Sequence, residues 1–174
     1  MSRFRSVFSF PNPVNEKAAR TVAGGVVLLG LTAIALAAFD QGWLLAVIAL
    51  GFWARVLTGP TLSPLGQLAV RVVAPRLGPA KPVAGPPKRF AQGMGVAFST
   101  TAVVLWFGLG EHAAAVVTLA MLTGAAFLEA AFGYCMGCKV FGLLMRAGWI
   151  PEDVCEACSD VTLRHPELRE PVAV

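Results

Sequence analysis

The sequence predicts an all-α protein: a four-helix transmembrane bundle of two helical hairpins, with a short interfacial helix and a cytoplasmic Cys-rich C-terminal tail. Three observations predict it. Hydrophobic residues make up 56% of the 174 residues, and they are bunched into long runs rather than spread as amphipathic stripes, the pattern of a chain solvated by lipid. Charged residues make up only 14%, against about 25% in soluble domains. All fourteen Lys and Arg residues cluster before the first run, between the second and third, and after the fourth. The two remaining turns carry none, only Asp40, Glu111 and His112. Under the positive-inside rule this puts both termini and the central loop in the cytoplasm.

The elements follow in chain order. Residues 1–17 form a cytoplasmic arm with Arg3, Arg5, Pro11 and Pro13. No small-residue cleavage site follows a short apolar stretch, so the arm is expected to be retained, with Phe4, Phe8 and Phe10 resting on the headgroup layer. The membrane domain is expected over 18–134. Its first span, about 18–39, has no charge after Arg20 and is long enough to cross a hydrocarbon core about 30 Å thick. Asp40-Gln41-Gly42 turns it. The second span, about 43–57, is short. Trp43 and Trp53 fall where aromatic belts lie, and Arg55 near its end is expected to snorkel to the headgroups.

The segment 59–88 breaks the pattern. Gly59-Pro60 and Ser63-Pro64 end the helix. An amphipathic stretch from Leu65 to Val73, stopped by Pro75, predicts a short helix lying in the interface. The linker Arg76–Pro87 holds Pro79, Pro82, Pro86 and Pro87, which predicts an extended, non-helical connection. The third and fourth spans are expected at about 90–109 and 113–132, with Gly110-Glu111-His112 between them. Their glycines suit close helix packing.

The tail, 135–174, carries all four cysteines as two pairs, Cys135-Met-Gly-Cys138 and Cys155-Glu-Ala-Cys158. Three readings compete. Cys135 and Cys138 can be a working dithiol: if Gly133 breaks the fourth span and Cys135 begins a new helix, the helix dipole and Lys139 favour thiolate. If the span runs on through Cys138, the dipole opposes it. Alternatively the four cysteines bind zinc, since the spacing of the pairs lies within the zinc-site range. The third reading is small half-buried thiols without chemistry. Glu152, Asp153 and Glu156 surround the second pair and blunt its reactivity, so Cys135 and Cys138 are the expected reactive pair and Cys155 and Cys158 a resolving pair. Glu129 is a carboxylate well inside a predicted span, where acids are costly and usually functional; it either faces a polar interface or pairs with Arg55. His112 is read as solvated; His165 lies in a polar tail, where a spare metal-ligand role is the minor reading.

Basic residues flank apolar runs without an aromatic-basic surface, so no nucleic-acid partner is expected. No P-loop, nucleophile elbow, H-E-x-x-H or dinucleotide fingerprint occurs.

Four segments carry a resemblance: Phe10-Pro-Asn-Pro-Val-Asn-Glu-Lys, Gly59-Pro-Thr-Leu-Ser-Pro-Leu-Gly, Pro87-Lys-Arg-Phe-Ala-Gln and Gly133-Tyr-Cys-Met-Gly-Cys-Lys-Val-Phe. Over about Pro11 to Met145 the chain resembles the bacterial membrane family catalogued as domain of unknown function 4395. The resemblance implies a small four-helix protein of the bacterial inner membrane, without an established activity. It also implies thiol or sulfur traffic with a cytoplasmic thioredoxin-like or rhodanese-like partner. The expected function is therefore thiol redox or sulfur transfer at the cytoplasmic face by Cys135 and Cys138. The alternatives are a non-enzymatic membrane anchor or assembly protein with a structural zinc site, and a small transporter of a sulfur compound using Glu129 and the break at 59–66.

Overall fold

A computed structural model of the chain describes residues 10–151. Cys155, Cys158 and His165, with Phe4 and Phe8 of the arm, lie outside the described residues. The described chain is mostly helical. A two-residue strand β1 (Val14–Asn15) leads into α1 (Glu16–Ala37), and α2 (Trp43–Thr58) follows the turn at Asp40. α3 starts at Pro64–Leu68, widens by one residue per turn over Ala69–Val73 and ends in Ala74–Arg76. Strand β2 (Pro82–Val83) precedes α4, which runs over Gly85–Val103 and continues through a second widened turn, Val104–Gly108. α5 (His112–Phe132) and α6 (Met136–Arg146) complete the order.

α1, α4 with its widened turn, and α5 are long and apolar enough to cross a membrane, and α2 is a shorter apolar helix. Their outer faces carry large exposed hydrophobic side chains, among them Leu28, Leu50, Phe107, Val117, Met121 and Phe127. Water does not tolerate so many on one small protein. The interior is filled by Leu45, Ile48, Phe52, Trp106, Leu119 and their neighbours.

The helix partners differ from two self-contained hairpins. α1 packs mainly along α5, and α2 mainly along α4, with only light contact between α1 and α2. Small residues decide this. Gly30 of α1 lies directly against Thr123 of α5, and Gly95 of α4 against the Phe52 ring. A side chain at either glycine would push those pairs apart.

Two connections also depart from expectation. The linker is not extended throughout: α4 begins at Gly85 and takes Pro86 and Pro87 into its first turn, where a missing N–H leaves no bond unmade. Pro82–Val83 instead pairs antiparallel with Val14–Asn15, and Asn12 Oδ1 accepts a 3.0 Å bond from the Gly85 amide. Pro75 does not stop the short helix, because the widened turn before it, with Ala74 N–H reaching back to Ala69 C=O, relieves the clash a proline ring makes in a tight helix. That helix is also no free interfacial segment, since Ala69 and Ala74 are buried together with Ala18 and Val22 of α1.

Candidate functional site

The end of the bundle where α1 and α4 begin and α2 and α5 finish holds the cysteines. α5 ends at Gly133, whose φ of +69° a residue with a Cβ adopts only with strain. The Gly133 amide bonds Glu129 C=O at 3.0 Å, the closure of an αL helix end, and the Tyr134 amide reaches back to Leu128 C=O at 3.2 Å. Arg20 of α1 caps the same end: its Nη2 donates to Ala130 C=O at 3.0 Å and to Ala131 C=O at 2.8 Å. A cation there also meets the negative end of the helix dipole.

The chain turns through Tyr134, and Cys135 becomes the residue that starts α6. Of the two arrangements open to the sequence, the structure has the broken one. Cys138 lies in the first turn of α6, and both cysteines are free thiols. α6 is held against α4 at Gly137, where a Cβ would stand 2.5 Å from Ala91 Cβ and 2.6 Å from Ala91 Cα. Phe141 packs on Phe90 with ring centroids 5.6 Å apart.

The Cys135 thiol is shifted below its ordinary pKa, first because Cys138 donates a hydrogen bond to it and then because Lys88 lies near; burial and Glu129 oppose the shift. Cys138 is shifted far up, chiefly because its proton is held in that same bond, and further by burial and the Cys135 charge. The two shifts run in opposite directions, so Cys135 is the thiol of the pair that ionises first and Cys138 the one that keeps its proton. Lys139 contributes differently from expectation: its Nζ sits over the Tyr134 ring, 5.5 Å from the centroid. The cation beside the thiols is Lys88.

Glu129 is bonded to Lys88 Nζ at 2.5 Å, with side-chain exposures of 16% and 11%. Its partner is therefore Lys88 and not Arg55. The reason is register: Lys88, in the first turn of α4, stands level with the last turn of α5. Arg55 does not snorkel either. It is only 6% exposed, and its guanidinium folds back over Gly51, where a Cβ would lie 3.4 Å from Nη1. Side chains lean toward the N-terminus of their own helix, and in α2 that direction leads into the bundle. Arg55 Nε donates to Gln92 Oε1 at 2.9 Å, and the guanidinium carbon sits 4.4 Å above the Phe52 ring centre.

A cavity of about 170 Å³ runs inward from Cys135, Gly137 and Glu129 between α1, α4 and α5, with apolar walls that include Val26, Phe98 and Leu122. Among the described residues, no group of three or more His, Cys, Asp and Glu side chains is arranged to hold a metal ion. The zinc arrangement needs Cys155 and Cys158, which lie outside them. His112 stacks on Trp106 with centroids 4.1 Å apart and faces Asp40 at 3.2 Å, at the far end of the bundle.

Sequence reasoning had not joined Lys88, Gln92 and Arg20 to the site. Lys88 and Gln92 are spaced four apart and share a helix face, and that spacing was the available signal.

A family model described as Domain of unknown function (DUF4395) matches residues 14–146. The chain belongs to this family. The match covers the strands and all six helices, and ends with α6. Comparison with curated proteins and with solved structures gives no match.

Proposed function

We propose that this member of domain of unknown function 4395 is a membrane dithiol protein, in which Cys135 and Cys138 exchange disulfide, or pass sulfur, with a thioredoxin-like or rhodanese-like partner at the cytoplasmic face. One observation carries the reading: Cys135 begins α6 with Cys138 in its first turn, and Cys135 lines the same space as Glu129, the ion-pair partner of Lys88. A helix start and a neighbouring cation are the conditions that make a cysteine reactive. The chain crosses the inner membrane four times in this reading, α2 included, with both termini cytoplasmic. The sorting of its basic residues supports that orientation.

The exchange balances as follows. The Cys135 thiolate attacks a disulfide of the partner, forming a mixed disulfide, and one partner sulfur leaves as thiolate. The negative charge that held the Cys138 proton is then gone, so Cys138 ionises more readily, and Glu129 is the base available to take the proton. The Cys138 thiolate attacks Cys135 Sγ, the second partner sulfur leaves, and two electrons have passed to the partner. Oxidised protein runs the sequence backwards with a reduced partner.

The test removes the resolving thiol. In membranes carrying Cys138→Ala, a covalent adduct to a cytoplasmic protein is expected on Cys135, reversible by dithiothreitol and absent when Cys135→Ser is added. No adduct in Cys138→Ala, with the chain correctly inserted, would sink the reading.

A further inference from the structure

Among the described residues, Arg55 is a buried cation with no acid partner. The groups it reaches are neutral: Gln92 Oε1, Ser63 Oγ at 3.4 Å and the Phe52 ring. A guanidinium has five N–H donors, and among the described residues Nη2 donates to none. Burying a charge without a counter-charge is costly, and nothing in α2 requires an arginine to complete the helix. The Phe52 ring and the Gln92 carbonyl stabilise the cation without neutralising it.

Arg55 lines a cavity of about 280 Å³, separate from the one at Cys135. Its walls come from the arm, α1, the ends of α2 and α3, and the start of α4. Lys88 and Gln92 line it too, with Asn15, and the rest is apolar or backbone, including Phe10 and Pro11. Phe10 therefore turns inward rather than lying on a headgroup layer. No Asp or Glu lines this space among the described residues, and Glu129 meets Lys88 from the other side. A water occupies about 30 Å³, so the space has room for a tetrahedral oxyanion together with several waters. On its opposite side Arg55 borders an apolar cavity of about 420 Å³, lined by Val26, Leu29 and Ile48, wide enough to take an alkyl chain.

We propose that the Arg55 cavity binds an oxyanion of the phosphate type, with Nη2 of Arg55 as the principal donor and Lys88 as the second cation. Forked guanidinium donors match the oxygens of such a group. The oxyanion comes either free from solution or as the phosphate of an anionic lipid whose chain enters the adjoining apolar cavity. This site shares Lys88 with the dithiol but does not require dithiol exchange, and its test reads anion binding alone.

The experiment uses the full chain in nanodiscs. In one arm the lipid is phosphatidylcholine, and inorganic phosphate is titrated at constant ionic strength set with chloride. In the other the nanodiscs contain phosphatidylglycerol and no free oxyanion. The readout in both is the unfolding temperature. An upward shift is expected in one arm: phosphate acting in phosphatidylcholine identifies a soluble oxyanion, and phosphatidylglycerol acting alone identifies the lipid. Arg55→Met is expected to weaken the response by roughly tenfold or more, since a charged hydrogen-bond donor is lost. Gln92→Glu provides a second variant should Arg55→Met not fold. It sets a carboxylate beside the guanidinium, so the unfolding temperature without anion should rise and the anion response should vanish. No shift of the wild-type protein in either arm overturns the proposal, as does an undiminished response in Arg55→Met or Gln92→Glu.

Discussion

The two ends of the bundle carry different polar residues and use them differently. At the far end Asp40 and His112 meet across the turns at 3.2 Å, with side chains 79% and 47% exposed. Gly110 completes the second turn with φ +68°. At the cysteine end several charges are wholly or partly buried and hydrogen-bonded. Arg20 caps α5, Lys88 bonds Glu129, Arg55 bonds Gln92, and Asn12 ties the arm to the start of α4. Closing helix pairs needs only the first kind of end. Buried charges cost stability, and the contrast is the one the proposed dithiol function at the cysteine end would produce.

The contrast breaks if charge removal costs the same at both ends. Lys88→Met or Glu129→Gln alone is expected to lower unfolding free energy in mixed micelles by about 3 kcal/mol, because each leaves a buried group unpaired. The double variant Lys88→Met with Glu129→Leu should recover most of that loss. Asp40→Asn should change stability by no more than about 0.5 kcal/mol, as exposed pairs do.

Glycines sharpen the same comparison at smaller magnitude. Gly137→Val should cost about 2 kcal/mol, because it drives α6 off the Ala91 backbone. Gly110→Ala has nothing within 4 Å to meet and should cost only the positive φ, about 1 kcal/mol. Equal losses would mean that α6 is not seated on α4.

The smallest effect is on reactivity rather than stability. Alkylation of Cys135, followed by peptide mass spectrometry, should rise with pH through a midpoint below that of an ordinary thiol. The thiolate is the reactive form, so reactivity is present above the lowered pKa and lost as pH falls through it. Cys138→Ala removes the hydrogen bond to the thiolate and should move the midpoint up. Lys88→Met should do the same by removing the positive charge, and Glu129→Gln should move it down. Unmoved midpoints in all three variants would detach Cys135 from its neighbours.

Much of the fold was legible in the sequence because it depends on local signals. Apolar run length located the three long helices and the shorter α2, and Gly133 could be read as the break before Cys135. Side-chain partners were less legible. Arg55 at the end of a short apolar run reads as a snorkelling residue, and only the direction of α2 and the empty space at Gly51 turn it inward. Glu129 reads as a partner for Arg55 until the register of α4 against α5 brings Lys88 level with it. Pro86 and Pro87 read as linker, although proline is equally at home in a first helical turn. The pairing of α1 with α5 depends on Gly30 meeting Thr123, a contact between residues far apart in the chain.

The central claim is that Cys135 and Cys138 are a working redox pair, and equilibrium titration tests it most directly. The full chain with Cys155→Ser and Cys158→Ser, in nanodiscs, is poised in glutathione buffers of increasing oxidation and then quenched with an alkylating reagent. The account predicts that Cys135 and Cys138 lose alkylation together, at one two-electron midpoint within the glutathione range, and regain it on reduction. Two thiols that stay fully alkylated at every poise, or that disappear independently of one another, would contradict it.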